Sequence, residues 1–254
     1  MTFIRKLRRF FENLLFPPRC ISCRAFLQKN LLDACESPFC PTCRIRWERE
    51  KNEACPDCGF ESVACRCCPP RLRKVGVEEI LHLVNYSADQ MTVGRRTVLN
   101  MKKKANQQAI SFMAEQLSYS VKRCMELHGL SEAQIGFCHV PRSRANVARY
   151  GFDQTQLLCR ALAKRLGASS YSLCFRRRGK DTEQKKLSAK ERAINLAGAF
   201  AVCEVPADKL VILVDDVVTT GASASVAASL LRAAGAKRLI TLCVAVTEKK
   251  TGNA

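Results

Sequence analysis

The chain has 254 residues, of which 42 are Lys or Arg and 23 are Asp or Glu, giving a formal net charge of +19. This length accommodates one large α/β domain and a small satellite domain. The charge favours polyanionic partners, whether nucleic acid, a phosphorylated small molecule or an acidic membrane face, without choosing among them. No segment is long and apolar enough to span a bilayer, which excludes a transmembrane protein and predicts a soluble one.

Residues 1–18 form the first predicted element, a basic amphipathic helix. Arg8, Arg9 and Glu12 interrupt its apolar residues, and no small-residue cleavage site follows, so the segment does not read as a secretory signal. Two uses stay open for this helix: packing against the next domain, or peripheral contact with a membrane. We expect a cytoplasmic protein.

Residues 19–71 contain most of the cysteines, ten of the sixteen in the chain, and four C-x-x-C pairs. Without a secretory signal, zinc coordination is favoured over disulfides, and four thiolate pairs make two tetrahedral sites. Chain order suggests that the first site uses Cys20, Cys23, Cys40 and Cys43, and the second uses Cys55, Cys58, Cys65 and Cys68. An interleaved pairing stays open, and the neighbouring Cys67 leaves the choice of the last thiol open.

Trp47 lies among arginines in the same region and has two interpretations. Its indole can stack on a nucleic-acid base, or it can pack over a zinc ribbon that has little core of its own. The second interpretation is favoured.

Residues 72–254 are predicted to form the larger domain, and its first half alternates strands and helices. The pattern predicts a strand over 80–86, helices over 89–104 and 107–128, and a strand over 135–140. An arginine-rich loop follows, in which Arg142, Ser143 and Arg144 are candidates to bind an anion. Asp153 or Gln154 is expected to cap a helix that ends near residue 166.

The segment VILVDDVVTTGAS, residues 211–223, is the most informative motif. It predicts a buried strand over 211–214, an acidic pair at Asp215 and Asp216, a turn, and an alanine-rich helix over 224–234. Backbone N–H groups at that helix N-terminus favour a phosphate, which the turn residues would cradle: Thr219, Thr220, Gly221, Ala222 and Ser223. The two carboxylates can accept hydrogen bonds from vicinal ribose hydroxyls, directly or through Mg²⁺.

These motifs together resemble a known family. The 211–223 segment resembles the 5-phosphoribosyl-1-diphosphate (PRPP) signature of type I phosphoribosyltransferases. Four C-x-x-C pairs, a Pro-Arg loop ending in Gly-Phe-Asp-Gln, a Gln184 to Phe200 motif and this signature occur in the order typical of the ComF family. The resemblance implies a double zinc ribbon before an α/β domain with a type I phosphoribosyltransferase-like parallel sheet and flanking helices. It also implies a role in DNA uptake during natural transformation.

The resemblance implies roles for the candidate residues as well. Asp215 and Asp216 would be catalytic, the 219–223 turn would bind the PRPP 5-phosphate, and Arg142, Ser143 and Arg144 would bind pyrophosphate. Two structural Zn²⁺ ions, and Mg²⁺ bound with PRPP, are the implied cofactors. Residues 176–190 correspond to the flexible loop that closes over the sugar. Tyr150 and Asp153 depart from the family, which commonly has Arg and Asn there, and so put the strength of pyrophosphate binding in question.

Three functions compete at this point, and no motif names the acceptor. The first is a true phosphoribosyltransferase. The second is a nucleic-acid-binding competence protein that engages single-stranded DNA and whose PRPP site is regulatory or vestigial. The third is a scaffold whose zinc module docks a competence helicase or translocase.

Overall fold

The computed structural model describes residues 14–27, 37–86, 91–171 and 208–247. The predictions for residues 1–13 of the N-terminal helix, for the Gln184 to Phe200 motif and for the 176–190 loop lie outside these ranges. The domain division at residues 18 and 71 stays a prediction.

Five parallel strands form one sheet in the order β1-β5-β4-β2-β3. The strands are β1 (Ile80–Tyr86), β2 (Ile135–His139), β3 (Ser169–Tyr171), β4 (Leu210–Val218) and β5 (Arg238–Thr247). Strand β2 is buried along its whole length, and β1, although it lies at one edge of the sheet, is mostly apolar and buried, so both strands are predictable to within one residue.

Seven α-helices are present in the described ranges. They are α1 (Pro41–Lys51), α2 (Pro70–Arg73), α3 (Val93–Lys104), α4 (Gln107–His128), α5 (Arg144–Tyr150), α6 (Gln154–Leu166) and α7 (Ala222–Ala233). Helix α4 matches its predicted bounds, because Asn106 caps its start through the Ala109 N–H and Gly129 ends it in the left-handed conformation. Helix α5 occupies part of what the sequence predicted to be a loop, with Ser143 as its N-cap.

Apolar residues pack on both faces of the sheet. One core cluster joins β1, β4 and β5 to α3, α4 and α6, and it includes Ile21, Phe39 and Trp47 of the cysteine-rich segment. The other cluster packs α7 and Leu72 of α2 against the opposite face. The cysteine-rich segment therefore shares a core with the sheet domain instead of standing apart from it.

Candidate functional site

The acidic pair lies inside β4, although the sequence placed it just beyond the strand. The strand continues to Val218 because β5 pairs with it throughout, with Asp215 opposite Cys243 and Val217 opposite Ala245. Side chains of consecutive strand residues point to opposite faces of a sheet. The two carboxylates are therefore held in different surroundings near the carboxyl end of the strand.

Asp216 is buried, with 4% of its surface exposed, and both of its oxygens are engaged. Its Oδ2 accepts a hydrogen bond of 2.6 Å from Nε2 of Gln154, the first residue of α6. Its Oδ1 lies 3.1 Å from Nζ of Lys102, near the end of α3. Asp216 thus ties two helices to β4, a role that differs from the catalytic one predicted from the sequence.

Gln154 is buried as well, and within the described part of the chain its Oε1 has no hydrogen-bond partner. A buried polar atom of this kind normally has a partner, since leaving it without one costs free energy. The orphaned oxygen lies on the residue that holds Asp216, which marks this corner as one where a ligand or water is expected.

Asp215 is partly exposed, and its Oδ1 accepts a 2.8 Å hydrogen bond from the Asp216 N–H. Burial and the neighbouring Asp216 charge raise the pKa of Asp215 well above the usual aspartate range. The pKa of the buried Cys243 thiol beside it is also raised, by burial first and then by the Asp215 charge. Asp215 is therefore the carboxylate of the pair that remains available to a ligand.

The turn after β4 leads directly into α7. Gly221 is the N-cap residue, with φ +71°, and a Cβ at this position would lie 3.3 Å from Cγ of Leu72. The left-handed conformation favours glycine, and the close contact leaves little room for a side chain. No side chain caps this helix N-terminus, and Thr219, Thr220 and Ser223 are exposed around it. The turn has the hydroxyls and the helix N-terminus that bind a phosphate.

The segment after β2 lies beside β4, since the Val140 N–H donates to the Val214 carbonyl at 2.8 Å. Asp153 closes this segment: its Oδ2 accepts from the Arg142 N–H at 2.7 Å, and its Oδ1 accepts from Thr155 and Gln156 at the start of α6. An asparagine would offer only one acceptor oxygen for these two tasks. The aspartate at this position, where the family commonly has asparagine, thus lets one side chain connect the start of the segment to the start of α6.

The guanidinium of Arg142 is held over the ring of Tyr150, 4.4 Å from its centroid, and donates to the Phe152 carbonyl at 3.3 Å. The other family departure, Tyr150, therefore orients a candidate anion-binding arginine through a cation–π contact. Ser143 accepts from the Asn146 N–H as the cap of α5, and Arg144 is the first residue of that helix. Their roles toward pyrophosphate stay predictions.

Four cysteines of the first cluster, Cys20, Cys23, Cys40 and Cys43, place their thiols within 4.8 Å of one another. All four are free, and the Sγ atoms of Cys23 and Cys40 are 3.7 Å apart. Burial acts to raise the pKa of Cys20, but backbone N–H groups of Cys40, Cys23 and Ser22 lower it to about 7. Four convergent thiols and N–H groups directed at sulfur are the arrangement of a structural zinc site.

The second cluster differs from the sequence prediction in one ligand. It groups the thiols of Cys55, Cys58, Cys65 and Cys67, so Cys67 stands where Cys68 was expected. Cys68 is buried beside Leu72 and Val77, and its thiol faces the carbonyls of Pro69 and Val77 at 3.8 Å. Packing with Leu72 and Val77 keeps Cys68 in the core, and Cys67 completes the tetrad. Both tetrads follow chain order, and both fit structural zinc.

Helix α1 joins the cysteine-rich segment to the sheet domain. Both carboxylate oxygens of the buried Glu50 accept hydrogen bonds from the N-terminus of α3, at 2.6 Å from the Val93 N–H and 2.8 Å from the Gly94 N–H. Asn100 of α3 donates to the carbonyls of Ile21 and Ser22. The helix that carries Lys102 is thus fixed by the cysteine-rich segment.

Trp47, also on α1, is fully buried and packs on Phe39 and Phe112 with ring centroids 5.7 and 6.1 Å away. An indole without exposed surface cannot stack on a nucleotide base. Its favoured interpretation, as a packing residue, is confirmed.

Comparison with known proteins agrees with this architecture. Residues 157–253 match the family model of the phosphoribosyl transferase domain, which places this part of the chain in the phosphoribosyltransferase class. The DNA utilization protein YhgH of Salmonella typhimurium (strain LT2) is 30% identical over 218 residues, which span 82% of this chain and 90% of that protein. YhgH of Escherichia coli (strain K12) is 29% identical over the same shares. The chain belongs to the family of these proteins, the ComF family.

A solved structure of Trypanosoma cruzi hypoxanthine phosphoribosyl transferase has a TM-score of 0.35 and 12% identity, covering 57% of this chain and 68% of that one. Among the described residues, no helix has the length and apolar character needed to cross a membrane.

Proposed function

We propose that the protein binds PRPP with Mg²⁺ at the carboxyl edge of the sheet and displaces pyrophosphate from C1 of the ribose, passing ribose 5-phosphate to an acceptor that the sequence does not name. The activity would serve DNA uptake, a role that the DNA utilization relatives support. ComF-type membership and the phosphoribosyltransferase domain supply the class of the reaction.

One observation carries the proposal: a partly exposed carboxylate lies in the same strand that leads into a helix N-terminus without a side-chain cap. Asp215 lies four residues before Thr219. A carboxylate for the ribose hydroxyls and hydrogen-bond donors for the 5-phosphate therefore follow each other along one strand and the turn after it. The Arg142 segment follows β2, the strand beside β4, and would bind the departing pyrophosphate.

In this proposal, the residues of the site have separate roles. The α7 N-terminus and the 219–223 turn bind the 5-phosphate. Asp215 accepts hydrogen bonds from ribose hydroxyls and stabilises the positive charge that develops on the ribosyl centre as the bond breaks. Asp216, paired with the Lys102 cation and hydrogen-bonded to Gln154, fixes the strand end and the two helices around it.

Mg²⁺ bound with PRPP would neutralise charge on the departing pyrophosphate. Asp215, with a partly exposed carboxylate, fits this ion because Mg²⁺ prefers oxygen ligands and is usually held through one or two carboxylates and substrate phosphates. The two cysteine tetrads would each hold one structural Zn²⁺.

Calorimetric titration of PRPP into zinc-loaded protein with Mg²⁺ tests the proposal. Asp215→Asn keeps the acceptor for the Asp216 N–H but removes the charge, and we expect it to weaken binding at least about tenfold, or about 1.4 kcal/mol. Asp208→Asn is the matched control, since the same change at an exposed position before β4 should leave affinity unaltered. Absence of binding to the wild type would refute a PRPP site.

A second candidate function, single-stranded DNA binding, has support in one surface. Helix α1 exposes Arg44, Arg46 and Arg49, whereas Trp47 and Glu50 of the same helix are buried. With Trp47 buried, affinity from this surface would be electrostatic and would fall steeply with salt. Replacing the three arginines by alanine should weaken binding of a single-stranded oligonucleotide and flatten its salt dependence, and no affinity at low salt would exclude this candidate. A helicase or translocase partner could use the same surface.

A further inference from the structure

A third group of metal-ligand side chains lies away from both cysteine tetrads and from the carboxyl edge. Glu79, Cys124 and His128 place a carboxylate oxygen, a thiol and an imidazole nitrogen within 4.8 Å of one another. The Cys124 Sγ is 3.3 Å and the His128 Nε2 is 3.6 Å from the same Glu79 oxygen, Oε1. These separations are close to those between ligands around one tetrahedral ion.

The three residues come from rigid elements. Glu79 immediately precedes β1, and its carbonyl accepts from the Thr241 N–H at 3.0 Å. Cys124 and His128 are four apart on the last turns of α4, so they share one helix face. The group therefore lies at the amino edge of the parallel sheet, opposite the edge that carries Asp215 and Asp216.

Arg66 orients the carboxylate from the other side. Its Nε is 3.2 Å from Glu79 Oε2, which leaves Oε1 facing the thiol and the imidazole. Arg66 lies between the tetrad cysteines Cys65 and Cys67 and donates to the carbonyls of Val63 and Cys65. In metal sites, the carboxylate ligands are commonly oriented by a second residue that contacts their other oxygen.

The geometry points to a third metal site, in which Glu79, Cys124 and His128 bind one divalent transition-metal ion such as Zn²⁺ or Co²⁺. Sulfur, nitrogen and oxygen donors together suit these borderline ions. Three protein ligands leave the fourth position to water, and His128, with 39% of its side chain exposed, lies on the open side. On binding, Cys124 loses its thiol proton to solvent and the metal–sulfur bond forms.

Charge sets the expected affinity of this site. The thiolate and the carboxylate cancel the two charges of the ion, but the Arg66 cation remains close, so binding should be weaker than at a four-thiolate tetrad. Burial and the Glu79 charge also raise the pKa of Cys124 to about 12, so metal must displace a proton there. The ion would link the start of β1, through Glu79, to the end of α4, through Cys124 and His128. The Arg66–Glu79 ion pair would connect both elements to the second tetrad.

Titration of Co²⁺ into zinc-loaded full-length protein tests the site, read by the sulfur-to-metal and d–d absorption bands and by elemental analysis. We expect about one further equivalent beyond the two tetrads, with absorbance typical of a single thiolate ligand. His128→Gln changes a half-exposed side chain, so it should fold normally yet lose this equivalent or bind it at least about tenfold more weakly. Cys124→Ser should lose the thiolate band.

Cys159→Ser is the matched control, because Cys159 is another buried cysteine, on α6, outside the group. It should keep the third equivalent. Saturation of the wild type at two equivalents would overturn the proposal, and so would a third equivalent that survives His128→Gln. Neither result depends on whether PRPP binds.

Discussion

Asp215 and Asp216 are adjacent in sequence and alike in chemistry, yet the fold gives them different tasks. Asp216 is buried between two helices, where it pairs with Lys102 and accepts a hydrogen bond from Gln154, whereas Asp215 keeps exposed surface and carries a raised pKa. The acid that faces the site is thus the one whose ionised form is disfavoured. A carboxylate whose ionised form is disfavoured lowers the stability of the folded protein, and functional sites often retain such groups.

Asp215→Asn should therefore stabilise the protein while weakening PRPP binding. A pKa raised in the folded state means that the folded protein holds its proton more tightly than the unfolded chain, so stability falls as pH rises through the folded-state pKa. The variant should be more stable above that pKa, by about 1 kcal/mol or a melting temperature roughly 2–4 °C higher, and the gain should shrink as pH falls toward the ordinary aspartate range. Thermal unfolding across pH, with Asp208→Asn alongside, measures this. A less stable variant at high pH would contradict it.

Lys102→Met should destabilise the protein, because it leaves the buried Asp216 carboxylate without its cation. We expect a loss of about 1–3 kcal/mol, the usual range for leaving a buried polar or charged partner unsatisfied. Urea denaturation provides the free energy of unfolding. Lys103→Met, the same change at the exposed neighbouring position, should alter it by less than about 0.5 kcal/mol. Equal effects of the two changes would exclude the ion pair as a stabilising contact.

At the scale of elements, α3 connects the cysteine-rich segment to the acidic pair. Its N-terminus is capped by Glu50 from α1, and its last turns carry Lys102. Gly94 is required at this junction, since a Cβ there would lie 2.8 Å from Val84 Cγ2 and 3.4 Å from the Trp47 ring. The close approach lets one carboxylate of α1 reach two backbone N–H groups of α3.

Glu50→Gln should weaken this junction. The amide keeps the size of the side chain but presents an NH₂ group to one of the two N–H donors, so one buried donor loses its acceptor. We expect about 1–3 kcal/mol of lost stability and faster hydrogen exchange at the Val93 and Gly94 amides. Glu48→Gln, on the exposed side of the same helix, is the control. Unchanged exchange at both amides would show that the cap contributes nothing.

At the scale of the whole molecule, the cysteine-rich segment and the sheet domain share one core. Trp47, the only tryptophan, lies in that shared core four residues after Cys43 of the first tetrad. Removing metal from the tetrad should therefore disturb packing that extends beyond the tetrad itself.

Chelation of zinc should shift the Trp47 emission to longer wavelength and lower the melting temperature of the whole chain. The reason is that Phe39, Cys43 and Trp47 lose their fixed positions when the thiols are no longer held by metal. Fluorescence during titration with a chelator, followed by restoration with Zn²⁺, measures the effect. Emission that stays constant while zinc is removed, as verified by elemental analysis, would contradict the shared core.

The sequence by itself determined the features whose parts lie close together along the chain. Strand β1, helix α4, the first three C-x-x-C pairs and the 211–223 motif could be predicted because periodicity, capping residues and ligand spacing act over a few neighbouring residues. For the same reason the order of the motifs was enough to indicate the family. The same local signals predicted that β4 ends at Val214. The strand continues to Val218 because it pairs with β5, which is not a local property of the sequence.

Only the tertiary structure decided which side chains from distant parts of the chain meet. Lys102 belongs to a run of three lysines, and no local signal distinguishes the one that reaches Asp216. Cys67 and Cys68 have the same chemistry one residue apart, and packing against Leu72 separated them. Glu50 looks like any exposed helix acid until α3 is placed against α1. In each case the energy that chooses comes from burial and contact between segments, which sequence spacing does not record.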